Sequence, residues 1–135
     1  MKEIEEVIGK LINNNESLIL KELINKLKLK GVNYKTIKKI TVLSRELKKI
    51  IEEHEQAVKL LFQTYDIPLT EVGYSWKDHK DEEIIKTTYL GLLKEDFCLE
   101  GANTIEQKEF EKIIENSELS TDEIITIEDY LLKTE

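Results

Sequence analysis

The sequence predicts a mainly α protein in a single domain over residues 1–135. One long central helix carries shorter N- and C-terminal helices packed around it, with room for a minor hairpin in the middle. Three observations carry this expectation. Apolar residues recur at helical spacing over a span much longer than any ordinary strand. Ser, Thr and Asn stand at capping distance ahead of apolar runs. The one proline, Pro68, falls where the long pattern stops. A chain of 135 residues suits one domain, and 40% hydrophobic with 36% charged side chains fits a folded helical protein better than an acidic disordered tail.

In chain order, Ile4, Val7, Ile8 and Leu11 have helical spacing, so a short first helix is expected over Lys2 to Leu11, broken by Asn13-Asn14-Asn15. A second helix starts near Asn15 or Ser17 and carries Leu18, Ile19, Leu23, Ile24 and Leu27. It ends around Gly31, whose backbone accepts a left-handed cap, although the alternating Leu27-Lys28-Leu29-Lys30 also suits a brief strand.

From about residue 34 to 65, Ile40, Leu43, Leu47, Ile50, His54, Ala57, Leu61 and Thr64 are separated alternately by three and four residues, a heptad seam imperfect at His54 and Thr64. Such a helix would measure about 48 Å, more than a compact domain of this size requires, so one end is expected to project or to pack against another chain. Residues 66–80 read as an irregular connection, with Tyr74 to Lys80 a loop or short hairpin. A helix follows from Asp81 with Asp81, Glu82 and Glu83 near its positive end, fading at "DFCLEGAN". Thr104 with Gln107 and Ser120 with Glu123 have capping-box spacing, and each announces a short C-terminal helix.

The net charge of -8 divides unevenly. Residues 1–50 hold 12 basic and 6 acidic side chains, whereas residues 51–135 hold 8 basic and 22 acidic. The two halves can face each other, associate head to tail between copies, or address different partners. Charged residues recur every few positions near the start, so neither a signal peptide nor a membrane span is expected. Cys98 is the single cysteine, which excludes an internal disulfide and gives an oxidising compartment no support.

Little in the sequence suggests catalysis, and no catalytic, cofactor or metal residue is assigned. His79 lies among Asp78, Asp81, Glu82 and Glu83, but the spacing matches no zinc or calcium signature. Cys98 has Glu95, Asp96 and Glu100 for neighbours, which do not favour a thiolate. The five glycines are scattered, with no phosphate-binding loop. The candidates are interface residues instead. His54 is a polar, register-setting member of the helix seam. Tyr74 and Trp76, in a predicted loop between apolar segments, either close a local core or stand as exposed aromatic anchors for a partner, and Glu111, Glu115 and Glu118 form an acidic face able to occupy a basic groove. Lysines over residues 21–49 offer a weaker route to nucleic-acid phosphates.

The run "VNYKTIKKITVLSRELKKIIEEHEQAVKLLFQTYDI" resembles the central helix of a family of small tailed-phage proteins, often encoded among late or tail genes of phages infecting Gram-positive bacteria. Tyr34, Ile37, Ile40, Leu43, Leu47 and the Glu52-Glu53 region correspond to that helix, and "LSTDEIITIEDYLLKTE" to the family's closing segment. The central "VGYSWKDHKDEE" departs from the pattern. The resemblance implies a phage or mobile-element origin and carries over no catalytic residue. The resulting expectation is a non-catalytic accessory or structural protein acting through protein contacts. Its partner is another protein, or copies of itself through the long helix, in the host cytoplasm or on the virion. The alternative is a small acidic inhibitor of a host defence or nucleic-acid-processing protein.

Overall fold

The computed structural model describes residues 10–71 and 73–133. The elements run β1 (Lys10–Asn13), α1 (Asn14–Asn25), α2 (Tyr34–Thr64), β2 (Leu69–Thr70), β3 (Gly73–Tyr74), α3 (Glu82–Lys94), β4 (Asp96–Leu99), α4 (Gln107–Asn116) and α5 (Thr121–Leu131). The fold is mainly α, built on the long central helix, with two small antiparallel strand pairs.

The N-terminal helix expected over Lys2 to Leu11 falls mostly on residues 1–9, outside the described residues, but its end requires correction. Lys10 and Leu11 belong to β1, which pairs with β4 in the register Lys10↔Leu99 to Asn13↔Asp96. The pairing buries Ile12 and Leu99 on one face and leaves Leu11 and Cys98 on the other. "DFCL" is therefore a strand rather than a fraying helix end. The alternation that forms it spans only four residues, too few to register beside the longer helical pattern.

Asn13 is the cap of α1: its side chain accepts from the Glu16 amide, while the Glu16 carboxylate accepts from the Asn13 amide. The helix thus starts one residue before Asn15 and ends at Asn25, short of Gly31. Residues 26–33 form an irregular connection, neither helix nor strand, because their backbone groups are used elsewhere. The Lys28 amide donates to Ser117 Oγ and the Lys30 carbonyl accepts from Asn116 Nδ2, while Leu27 and Leu29 turn toward the core. Gly31 keeps its left-handed backbone (φ +81°) in the turn before Asn33, which caps α2 through the Thr36 amide.

The α2 seam follows the expected heptad through Ile40, Leu43, Leu47, Ile50 and His54, all buried. Beyond His54 it moves off Ala57, Leu61 and Thr64 onto Val58 and the buried Phe62. A straight helix drifts relative to a strict seven-residue repeat, so a single chain packing on both ends of α2 follows this drift rather than a coiled-coil line. The first half of α2 packs into the main core with α1, β4, α4 and α5. Its second half is covered by α3 of the same chain, which runs antiparallel to it, around the smaller cluster of Phe62, Ile67 and Ile85.

Within residues 66–80, β2 and β3 make a short hairpin with Leu69 opposite Tyr74. The Thr104 capping box does not form. Ile105 is extended and bridged to Leu132, while the Thr104 carbonyl accepts from Lys39 Nζ, so α4 begins later, behind Glu106. Ser120 caps α5 with Glu123 as expected. Among the described residues no helix is long and apolar enough to cross a membrane.

Candidate interaction surfaces

The +6 and -14 halves meet within the fold. Lys26 pairs with Glu123 at 2.7 Å and Lys10 with Asp129 at 3.0 Å. Asn33 donates its amide to the buried Glu109 carboxylate at 2.8 Å. That bond, with Lys112 beside it, holds the Glu109 carboxyl below the ordinary carboxylate range, and Lys26 with the Ser120 amide does the same to Glu123. These contacts fix the 26–33 connection against α4 and α5 but engage few of the basic side chains of α2.

Three of those remaining cations, Lys38, Arg45 and Lys49, lie on the outer stripe of α2. Tyr34, Lys38, Val42, Arg45 and Lys49 are spaced by four, four, three and four residues, which places them on one helical face, and all five are exposed. Tyr34 is 76% exposed and Val42 44%. Glu46, the one acidic residue between them, is engaged elsewhere: its two carboxylate oxygens accept from the amides of Glu100 and Gly101 at 2.9 and 2.7 Å.

A second surface is an open groove of about 580 Å³ between α1 and α5. Ile19 and Ile125 line it, 47% and 57% exposed. Glu16, Glu128 and Asp129 give it acidic character. Tyr130 contributes a buried ring whose hydroxyl bonds to Glu16. Burial, followed by the charges of Glu16 and Asp129, pushes that hydroxyl up to about 12, so it remains a neutral donor at physiological pH, and Lys10 Nζ lies 5.1 Å from the ring centroid. Asn103, in the left-handed region (φ 58°), closes the groove by donating Nδ2 to the carbonyls of Asp129 and Leu132, both at 2.9 Å. The sequence signal for this groove was present but weak: Ile124, Ile125 and Ile127 supply more apolar side chains than one face of a short helix buries.

The proposed interface residues separate into three places. Tyr74 and Trp76 come together as the wall of a local core, the first of the two readings, rather than as exposed anchors. Both are half-buried and stack on Phe62, with ring centroids 4.2 and 5.3 Å away, and Tyr89 lies 5.2 Å from Trp76. Phe62 needs this cover because it sits at the end of α2, away from the main core. His79 joins the same tip by accepting the Asp81 amide at Nδ1 (3.0 Å), which assigns the proton to Nε2 for donation to the Tyr65 carbonyl (3.1 Å). His54 is buried midway along α2, where desolvation lowers its pKa against the opposing pull of Glu55 and Glu95. Glu111, Glu115 and Glu118 are exposed. The first two border a shallower groove of about 250 Å³ with Ile114 and Ile124 between α4 and α5, and Glu128 borders both grooves.

Among the described residues no three His, Cys, Asp or Glu side chains cluster so as to hold a metal ion. No protein-family model, curated protein or solved structure matches the chain.

Proposed function

We propose that this chain is a non-catalytic phage or mobile-element accessory protein that works by seating a basic segment of a protein partner in the α1–α5 groove. The observation carrying the reading is the pairing of exposed Ile19 and Ile125 with Glu16, Glu128 and Asp129 in one concave surface. Apolar side chains there gain by leaving water, and the acidic rim selects a cationic partner and speeds its approach. A photoreactive side chain at Ile125, introduced in cells that produce the protein, tests this. Cross-linked peptides rich in Lys or Arg, absent when the probe stands at Lys59 on the far half of α2, are the expected result. No adduct at Ile125, or equal adducts at both positions, overturns it.

A second reading, a small acidic inhibitor of a host defence or nucleic-acid-processing protein, draws on the exposure of Glu111, Glu115 and Glu118. Glu111 and Glu115 stand one turn apart on α4 and present like charge along one side, as a mimic of a phosphate path would. Reversal of all three to Lys should abolish capture of a basic target. Capture indifferent to the reversal removes this reading.

A further inference from the structure

We infer that the occupant of the α1–α5 groove is a second copy of this chain, whose α2 outer stripe lies along the groove and joins copies head to tail. The inference rests on the groove being a protein-binding surface and names its partner.

Two surfaces of the one chain are complementary in charge and apolar content. The groove presents Glu128 with exposed Ile19 and Ile125, beside Glu16, which accepts from the Asn13 amide and from Tyr130, and Asp129, which pairs with Lys10 at 3.0 Å. The stripe presents Lys38, Arg45 and Lys49 around Tyr34 and Val42, all exposed, on a helix face that the loop carrying Gly101 and Thr104 borders at Lys38 and Val42. Each has cationic or anionic side chains flanking exposed apolar ones, so docking buries the apolar groups while the charges pair at the rim. Tyr and Arg are also the side-chain types that most often dominate binding energy. From Tyr34 to Lys49 the stripe extends about 22 Å, whereas the groove takes only Glu16 and Ile19 of α1 and residues 125–130 of α5, about 5 Å and about 8 Å of helix, so only part of the stripe seats in it.

The geometry of assembly follows from the surfaces being different. No residue belongs to both, so a copy can use its groove and its stripe at once. The contact is heterologous, and it propagates into a ring or an open filament rather than stopping at a two-fold dimer. This gives the separation of charge between the halves of the sequence a use that the internal ion pairs leave unfilled.

Light scattering of the full chain over a range of protein concentrations tests the inference, first between about 50 mM and about 500 mM salt, where screening of rim pairs changes most. The average mass should rise with protein concentration, and association should weaken about tenfold or more at the higher salt. Two variants then isolate the surfaces: Lys38→Ala with Arg45→Ala removes stripe charge from exposed helix positions, and Glu128→Lys reverses the groove rim. Each alone should weaken self-association about tenfold or more. An equimolar mixture should form a 1:1 dimer and stop there, since one intact groove and one intact stripe remain. A monomer at every concentration and salt, association unchanged in both variants, or a mixture that forms no dimer each overturns the inference. Retention of a labelled oligonucleotide by a wild-type protein that stays monomeric does so too, and assigns the stripe to nucleic acid. If the monomeric protein still yields basic cross-links at Ile125, only the identity of the partner is overturned and the groove reading stands.

Discussion

At the scale of single residues, His54 and Gly101 show how a side chain can be constrained by what surrounds it rather than by its own chemistry. The His54 pKa lies below its ordinary value of 6.5, chiefly because burial disfavours the imidazolium. The unfolded chain therefore binds this proton more readily than the folded one. The resulting stability is fully present above about pH 6.5 and is lost as pH falls through the lowered folded value. His54→Gln should flatten that slope, so thermal midpoints at pH 7.5 and 5.5 should differ less in the variant than in the wild type; an equal difference would remove His54 as its source. Gly101 is constrained by approach instead. A Cβ there would lie 2.6 Å from Glu46 Oε1, which accepts the Gly101 amide. Gly101→Ala should displace the carboxylate and cost about 1.5–3 kcal/mol, the range for a hydrogen bond to a charged group. In a Glu46→Ala background the same change should cost less, and additive losses in denaturant melts would show that the two residues are not coupled. His54 could be recognised in the sequence from its place on the seam. Gly101 could not, because its partner is 55 positions away.

At the scale of elements, helices were legible wherever a long apolar period coincided with local capping chemistry. That holds for α2 behind Asn33 and for α5 behind Ser120, whereas α3 has no side-chain cap and was legible from its apolar period and acidic first turn. What escaped were features defined by partners remote in sequence. β1 exists because β4 lies beside it, and the start of α4 is set by the bridge between Ile105 and Leu132 rather than by the Thr104 spacing. The aromatic tip has the same character. Tyr74 and Trp76 read as either local closure or loop anchors until α2 and α3 are placed antiparallel, when Phe62 between the helices claims both rings. His79 ties this turn by linking the Tyr65 carbonyl at the end of α2 to the Asp81 amide at the start of α3. Each net hydrogen bond contributes about 0.5–1.5 kcal/mol, so His79→Ala should lower stability by about 1–3 kcal/mol. Fluorescence of Trp76, the only tryptophan, should report the loosening, and an unchanged emission maximum and melting curve would show that the bridge carries no weight.

At the scale of the whole molecule, one helix serves two apolar clusters of unequal size. The larger runs from Ile12 to Leu131 and takes the first half of α2, whereas the smaller holds only Phe62, Ile67 and Ile85 at full burial, with half-buried rings around them. The heptad reading treated α2 as one uniform seam and so pointed to a projecting or oligomeric helix. The drift from Leu61 to Phe62 shows two different packing environments joined at buried His54. Such an arrangement need not open all at once, since local stability follows local burial. Phe→Ala in a core costs about 3–5 kcal/mol and Leu→Ala about 2–5 kcal/mol, so Phe62→Ala and Leu47→Ala impose comparable losses on the two clusters. Their consequences should differ in extent. In native-state hydrogen exchange, Phe62→Ala should accelerate amides from about residue 58 through α3 while leaving those around Leu43 and Leu47 nearly unchanged. Leu47→Ala should accelerate every slowly exchanging amide, because the main core anchors α1, β4, α4 and α5 together. Equal acceleration of the main core by both substitutions would show a single cooperative unit and would remove the two-cluster description. If the tip opens alone, the stripe and the groove, which both belong to the larger cluster's half of the molecule, keep their shape while it does so. Phe62→Ala should then leave any self-association intact.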